Sequence, residues 1–373
     1  MAPKRGPLKT IVAYAAGGIA ALTLGAFLFA WSGLYNVAAS DGHWGIVEYA
    51  LAFVMQNSVE SRAMTIDAPR LDDNDRIVLG AGAYHSGCAW CHGAPGIPRN
   101  PVTRSMLPAP PDLSADMREW KDEELFWIVK HGIKYTGMPA WVSQRRDDEV
   151  WAVVTFLRRI GSTDAATYRA LALGFAETSE SGRDIAIDEG SIEAAVACVR
   201  CHGADGRGPR SALVPVLHGQ PAEALIEALR AYADGKRESG VMQPLANDLT
   251  PEDIERVAGY YASLPAPPGK GSGPSGANPD NGRAIFEQGD AANGIPACIT
   301  CHGDEALQTY PRLAGQNRRY VDAQLRLWKA ETTRHTEAAA IMAPIARALS
   351  DEQIRDVAAY VESLRANAPA ASQ

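Results

Sequence analysis

The sequence predicts an all-α fold: three helical units in tandem behind an N-terminal transmembrane helix. Three observations support this. The pattern Cys-x-x-Cys-His occurs three times and uses all six cysteines: Cys88-Ala89-Trp90-Cys91-His92, Cys198-Val199-Arg200-Cys201-His202 and Cys298-Ile299-Thr300-Cys301-His302. The last two copies lie 100 positions apart (298 − 198) inside a longer stretch that repeats itself. A charge-free run extends from Thr10 through Ser40.

That run comes after Lys4, Arg5 and Lys9 and is long enough to cross a hydrocarbon core of about 30 Å. The basic flank comes first, so the positive-inside rule leaves the N-terminus cytoplasmic and exports the rest of the chain. A cleaved signal peptide ending near Val37-Ala38-Ala39 is the alternative, but signal cores run to only about 7–15 apolar residues. Residues 1–40 are therefore read as basic flank and anchor, with Trp31, Tyr35 and Trp44 at the outer interface. The apolar stretch Trp44–Val54 is interrupted by Glu48 and is too short to span. Residues 41–70 are read as an interfacial or docking helix with its connector.

The first unit covers 71–165. Asp72-Asp73-Asn74-Asp75 supplies caps for a helix running into Cys88, a proline-rich loop extends from Pro98 to Pro111, and helices are expected over Glu123–Lys130 and Asp147–Ile160. The second unit (166–264) and the third (280–373) are copies. Leu249-Thr250-Pro251-Glu252-Asp253-Ile254 matches Leu349-Ser350-Asp351-Glu352-Gln353-Ile354, and Pro215-Val216-Leu217-His218-Gly219-Gln220 matches Pro311-Arg312-Leu313-Ala314-Gly315-Gln316 at an offset of 96 (311 − 215). The Pro/Gly/Ser segment 265–279 joins them as a linker.

Cys-x-x-Cys-His is the attachment signature of a c-type haem: each thiol forms a thioether with a vinyl group, and the histidine becomes the proximal iron ligand. A thioredoxin-like site would need a strand-rich setting. A four-cysteine zinc site would leave one pair over. Disulfides across two residues would be strained, and both of these alternatives leave the histidines unexplained. Three covalently attached haem c groups are therefore expected on Cys88 and Cys91, Cys198 and Cys201, and Cys298 and Cys301, with His92, His202 and His302 on the irons.

A sixth ligand closes a haem iron and suits it to electron transfer. Met242 and Met342 each come 40 positions after their motif histidine (242 − 202 and 342 − 302), in segments read as loops before the last helix. Met138 comes 46 after His92 (138 − 92), within Gly137-Met138-Pro139. Methionine is ordinarily core filler, but equal spacing in both copies marks these as axial ligands. Met106 and Met117 compete in the first unit and lie nearer the motif. His43, His85, His131, His218 and His335 also compete, but none recurs between the copies, and they are read as surface or supporting residues. Each proximal imidazole needs an acceptor for its other nitrogen, and carbonyls near Pro111, Pro215 and Pro311 are expected to provide it.

The net charge of −8 and the absence of a basic run argue against nucleic acid as a partner. Between Ala166 and Pro268, nine Lys/Arg stand against fifteen Asp/Glu. This is either a docking face for a basic partner or an ordinary solvated surface.

The span from about Glu189 to Leu364 resembles a dihaem cytochrome of the c4 type. The resemblance rests on Cys201-His202-Gly203-Ala204-Asp205-Gly206, Cys301-His302-Gly303, Pro311–Gln316, Met242, Met342 and the repeated C-terminal helices. It departs from that pattern at Asp304-Glu305-Ala306, where a longer glycine-rich loop is usual. The first unit resembles a membrane-anchored monohaem cytochrome c at Phe126–Lys134 and Gly137-Met138-Pro139-Ala140-Trp141. All three units resemble class I cytochrome c domains. The resemblance implies an electron-transfer subunit, not an enzyme, on the periplasmic side of a bacterial inner membrane. Such a subunit passes electrons from a quinol-oxidising, bc1-type complex toward a terminal oxidase and binds no small-molecule substrate. The alternatives are an electron-accepting subunit of a periplasmic alcohol or sugar dehydrogenase, and a haem enzyme such as a peroxidase or nitrite reductase, which requires an open iron.

Overall fold

Pro7 at the first helical position and the uninterrupted apolar run after it form α1 (Pro7–Ser32), whose residues from Leu8 onward are exposed on every side. The computed structural model describes residues 7–114, 120–174, 193–203, 209–265, 276–303, 307–330 and 334–364. Lys4, Arg5, Met117, Ala204-Asp205-Gly206, Asp304-Glu305-Ala306 and most of the expected linker lie outside the described residues. Beyond α1, the Tyr35 and Phe29 rings meet Trp44 at 5.3 and 5.9 Å, and the Tyr35 hydroxyl lies 2.6 Å from His43 Nδ1. Helix α2 (Gly45–Ala63) divides in character: Ile46, Tyr49, Phe53 and Val54 are exposed, whereas Val59 and Ala63 are buried. Its C-terminal part packs on the first unit, so that unit's core draws on residues before position 71.

The first unit contains α3 (Asn74–Gly87), α4 (Ala89–His92), α5 (Pro101–Arg104), α6 (Asp122–His131), α7 (Asp147–Ile160) and α8 (Ala165–Leu173), the last of which buries Tyr168 and Ala172 in this unit's core and carries it past the boundary expected at 165. The second contains α9 (Glu193–His202), α10 (Ala222–Ala233), α11 (Met242–Asn247) and α12 (Pro251–Ser263). The third contains α13 (Pro279–Gln288), α14 (Ile299–His302), α15 (Arg318–Ala330), α16 (Glu337–Ala348) and α17 (Asp351–Ser363). Among the described residues there is no strand, only isolated bridges.

In the first and third units, the helix that leads to the cysteines crosses a later helix of the same unit at close range. A side chain at Gly80 on α3 would collide with the Ala152 carbonyl of α7, and one at Gly282 on α13 would collide with the Asp356 carbonyl of α17. Around these crossings, Tyr84 packs on Phe156 and Phe286 on Tyr360. The repeated segments before α12 and α17 prove to be capping boxes. Asp253 N–H donates to Thr250 Oγ1 at 3.1 Å, and Gln353 N–H donates to Ser350 Oγ at 3.1 Å. In the first unit Asp73 caps α3, as its sequence position suggests.

The second and third units face one another through a reciprocal clasp. Val216 N–H donates to Gln316 Oε1 (2.7 Å), and Gln316 Nε2 donates back to the Val216 carbonyl (3.0 Å). In mirror image, Arg312 N–H donates to Gln220 Oε1 and Gln220 Nε2 donates to the Arg312 carbonyl, both at 2.9 Å. Val216 and Arg312 are equivalent positions in the repeat, as are Gln220 and Gln316. The contact is therefore isologous within one chain.

Candidate functional site

Each Cys-x-x-Cys-His motif occupies a single helical turn. His92 N–H bonds to the Cys88 carbonyl and His302 N–H to the Cys298 carbonyl, both at 2.9 Å, which sets two thiols and an imidazole around one turn. Burial raises the thiols, Cys88 to about 12 and both Cys198 and Cys298 to about 11. They stay protonated, and no disulfide joins them. The three histidines share one arrangement. Nδ1 lies 2.9 Å from the Pro111 carbonyl in His92, 3.1 Å from that of Pro215 in His202 and 2.8 Å from that of Pro311 in His302. A carbonyl only accepts, so Nδ1 carries the proton and Nε2 presents its lone pair. Burial lowers all three, His202 to about 4, against the opposing pull of the proline carbonyls. They are held in the neutral form that ligates a metal.

In the second and third units these groups converge on one cavity of about 1800 Å³. Cys198, Cys201, His202 and Met242 line it from one unit, and Cys298, Cys301, His302 and Met342 from the other. The two methionines do not lie in loops as their sequence context suggests. Met242 opens α11, and Met342 sits inside α16, where Glu337-Ala338-Ala339-Ala340 carries a strong helix former through the site. In the first unit Met138 lies outside regular structure, and the methyl of Met106 presses against the neighbouring Gly137. Met138 and its competitor Met106 therefore share one corner.

The competing histidines have other occupations. His85 Nδ1 lies 2.9 Å from the Tyr168 hydroxyl, His131 packs on Trp127, and His335 Nε2 is 3.8 Å from Glu238. His218 is buried, not at the surface, and stacks on Tyr261 at 5.6 Å.

Two arginines that belong to no sequence motif complete the cavity. Arg237 stacks on Tyr232 at 4.5 Å and Arg334 on Trp328 at 4.1 Å, and the two pair through a β-bridge between the units. Arg237 donates to the Tyr320 hydroxyl at 3.0 Å, while its Nε is shielded from solvent with no hydrogen-bond partner among the described residues. Arg334 donates to Gln324, and burial with the nearby Arg237 charge pushes it down to about 9. Two cations with neutral partners fit a ligand that brings carboxylates, as the propionates of a haem do. One signal in the sequence could have found them: the stacking aromatics recur at an offset of 96 (328 − 232).

Residues 75–157 and 186–260 match the family profile described as cytochrome c oxidase, cbb3-type, subunit III, and residues 279–365 match that of cytochrome c. A thiosulfate dehydrogenase electron acceptor of Thiomonas intermedia is 37% identical, over 45% of this chain and 78% of the relative. A cytochrome c4 of Pseudomonas aeruginosa is 33% identical, over 52% of this chain and 95% of the relative. The chain belongs to the c-type cytochromes. A solved cytochrome c4 structure from Acidithiobacillus ferrooxidans shares 37% identity over 45% of this cytochrome and 98% of that chain, with a TM-score of 0.41. The cytochrome contains a c4-like pair, and its domains bind haem c covalently. When bound, haem c supplies a one-electron Fe(III)/Fe(II) couple. This chain's thiols and imidazoles would anchor it, and Arg237 and Arg334, which line the shared cavity, would supply cations for its carboxylates.

Proposed function

We propose that this cytochrome is a membrane-anchored relay of single electrons carrying three haem c groups. The irons are held by His92 and Met138, His202 and Met242, and His302 and Met342. The observation that carries this reading is the shared cavity, into which two attachment motifs and two equally spaced methionines project. With a methionine and a histidine both ligating, an iron would keep no open position for a substrate, which favours a carrier over a haem enzyme. The chain's own contribution is to keep each imidazole neutral and oriented and to shield the sites from water.

The length and apolar character of helix α1 support its role as the anchor, and the basic residues before it favour haem domains on the periplasmic side of a bacterial inner membrane. Electrons then pass from a quinol-oxidising, bc1-type complex toward a terminal oxidase, with no small-molecule substrate and no nucleic acid involved. Relatives named as electron acceptors of thiosulfate dehydrogenase favour a second reading, in which the donor is a periplasmic dehydrogenase.

The test has three parts. A pyridine haemochrome assay against protein concentration should return three haems per chain. Carbon monoxide added to the reduced protein should leave every Soret band in place; a large shift with peroxide turnover would show an open iron and overturn the carrier reading. Gentle copurification from membranes separates the two donors: a quinol-oxidising complex supports the first route, and a dehydrogenase supports the second.

A further inference from the structure

The first unit meets the second beside Cys201 and again beside the segment that leads into Met242. At the first place α3 lies against the Cys-x-x-Cys-His turn, so that a Cβ at Gly82 would stand 3.1 Å from Cys201 Sγ. At the second, the segment just after Met138 rests on the segment just before Met242. A side chain at Gly240 would collide with the Trp141 indole. Glu149 reaches across from α7: Ser239 Oγ donates to its Oε1 at 2.5 Å, and Gly240 N–H donates to its Oε2 at 2.6 Å. Ser239 Oγ in turn accepts from Met242 N–H at 3.0 Å.

Glu149 is only 4% exposed, and its charge is met within its own unit by Arg146 at 2.9 Å. Trp141 Nε1 points at the same carboxylate from 3.4 Å. Arg146 also donates to the Glu238 carbonyl at 3.2 Å, and Ser143 to the Glu238 carboxylate at 3.1 Å. The whole 238–242 segment is therefore held from the first unit. By contrast, the first unit reaches the third through Arg319 with Asp73 and Asp75, at the end of α3 remote from Cys88.

A thioether is an uncharged, weak ligand, and its bond to iron depends on how firmly its backbone is held. Here the hydrogen bonds that fix the Met242 backbone end on a buried carboxylate from another domain. Such charge-assisted bonds are roughly twice as strong as neutral ones.

We propose that Glu149 is a positioning residue for Met242. Docking of the first unit and the methionine ligation of the middle haem are then one linked equilibrium, and each must strengthen the other equally. The inference rests on the reading that Met242 is an axial ligand.

The experiment uses the full-length reduced holoprotein and the ring-shifted methyl proton signals of its ligating methionines. Met242→Ala identifies the middle haem's signal by abolishing it. Glu149→Ala and, from the other side of the bond, Ser239→Ala should each move or broaden that signal while leaving the other two in place. Glu149→Gln, which keeps the shape and one acceptor oxygen but not the charge, should move the signal less than Glu149→Ala does. If all three signals stay unchanged in both alanine variants, or if the signal that moves is not the one lost in Met242→Ala, the inference fails alone. If Met242→Ala abolishes none of them, the ligation reading fails and takes the inference with it.

Discussion

Between the second and third units, the glutamine clasp at the facing turns has its mirror image: Gln220 clasps the Arg312 backbone and Gln316 clasps that of Val216. Within each unit the turn is held alike, Gly219 N–H bonding to the Tyr261 carbonyl and Gly315 N–H to that of Val361, both at 3.0 Å. Asn317 adds an unmatched bond to the Val214 carbonyl at 2.8 Å, and Arg312 one to the Gly219 carbonyl at 3.1 Å. The first unit meets the second through Trp141, Arg145, Arg146 and Glu149 against Glu238, Ser239 and Gly240, and through Asp75 against Ser211 and Ala212, and these contacts do not exchange equivalent partners. The contrast shows how each junction is specified. A duplicated unit meets its copy with a self-complementary surface, so one patch serves twice. A unit that is not part of the duplication must be matched residue by residue.

The largest effects should appear inside the units, where the comparison can be broken first. Gly80→Leu and Gly282→Leu drive a side chain into a backbone carbonyl at equivalent helix crossings, and overpacking of this kind costs about 1–3 kcal/mol or more. Thermal unfolding of the holoprotein should show a substantial loss of stability in both. Preserved stability in either would mean that the crossing is not close.

The clasp comes next. Gln220→Ala leaves a backbone N–H and a carbonyl without their partner, at about 1–3 kcal/mol per buried group, and Gln316→Ala leaves the equivalent pair together with the Asn317 N–H that Gln316 Oε1 also accepts. The loss in chemical unfolding should therefore be at least as large for Gln316→Ala as for Gln220→Ala. A larger loss for Gln220→Ala would show that the pseudo-symmetry is geometric but not energetic.

The smallest effect belongs to the partly exposed pair of Arg319 with Asp73 and Asp75, for which removal by Arg319→Ala should cost no more than about 1 kcal/mol and less at high salt. Its pH dependence has a definite sign. The Arg319 guanidinium holds the Asp73 carboxyl below its ordinary value. The contribution is thus complete above the unfolded value of about 4 and disappears as pH falls through the lower folded value. Small-angle scattering at decreasing pH should show the first unit loosening from the third only in that acid range. Loosening already near neutral pH would assign the junction to other groups.

Much of this was legible locally. Helix α7 runs over Asp147–Ile160 as its apolar period predicts, Asp73 caps α3, and each proximal imidazole finds its proline carbonyl, because a cap, a helical period and a turn after a motif are short-range properties. The helical setting of Met342 was missed because local context before the last helix resembles a loop, while the alanine-rich run overrides it. The buried stacking of His218 was missed because its position in the repeat holds Ala314 in the copy, which conceals any shared role.

Spacing along the chain is enough to establish the number of attachment motifs, the duplication, the capping residues and the apolar N-terminal helix. Folding in three dimensions was needed to decide that Gln220 and Gln316 exchange partners and that Arg237 and Arg334 meet across one cavity. It was needed also to decide that Glu149 of one unit secures the methionine segment of the next. These groups lie about 90 to 100 positions apart, and no local rule of propensity or periodicity carries information over that distance. Only the packing of finished units brings them within hydrogen-bond reach.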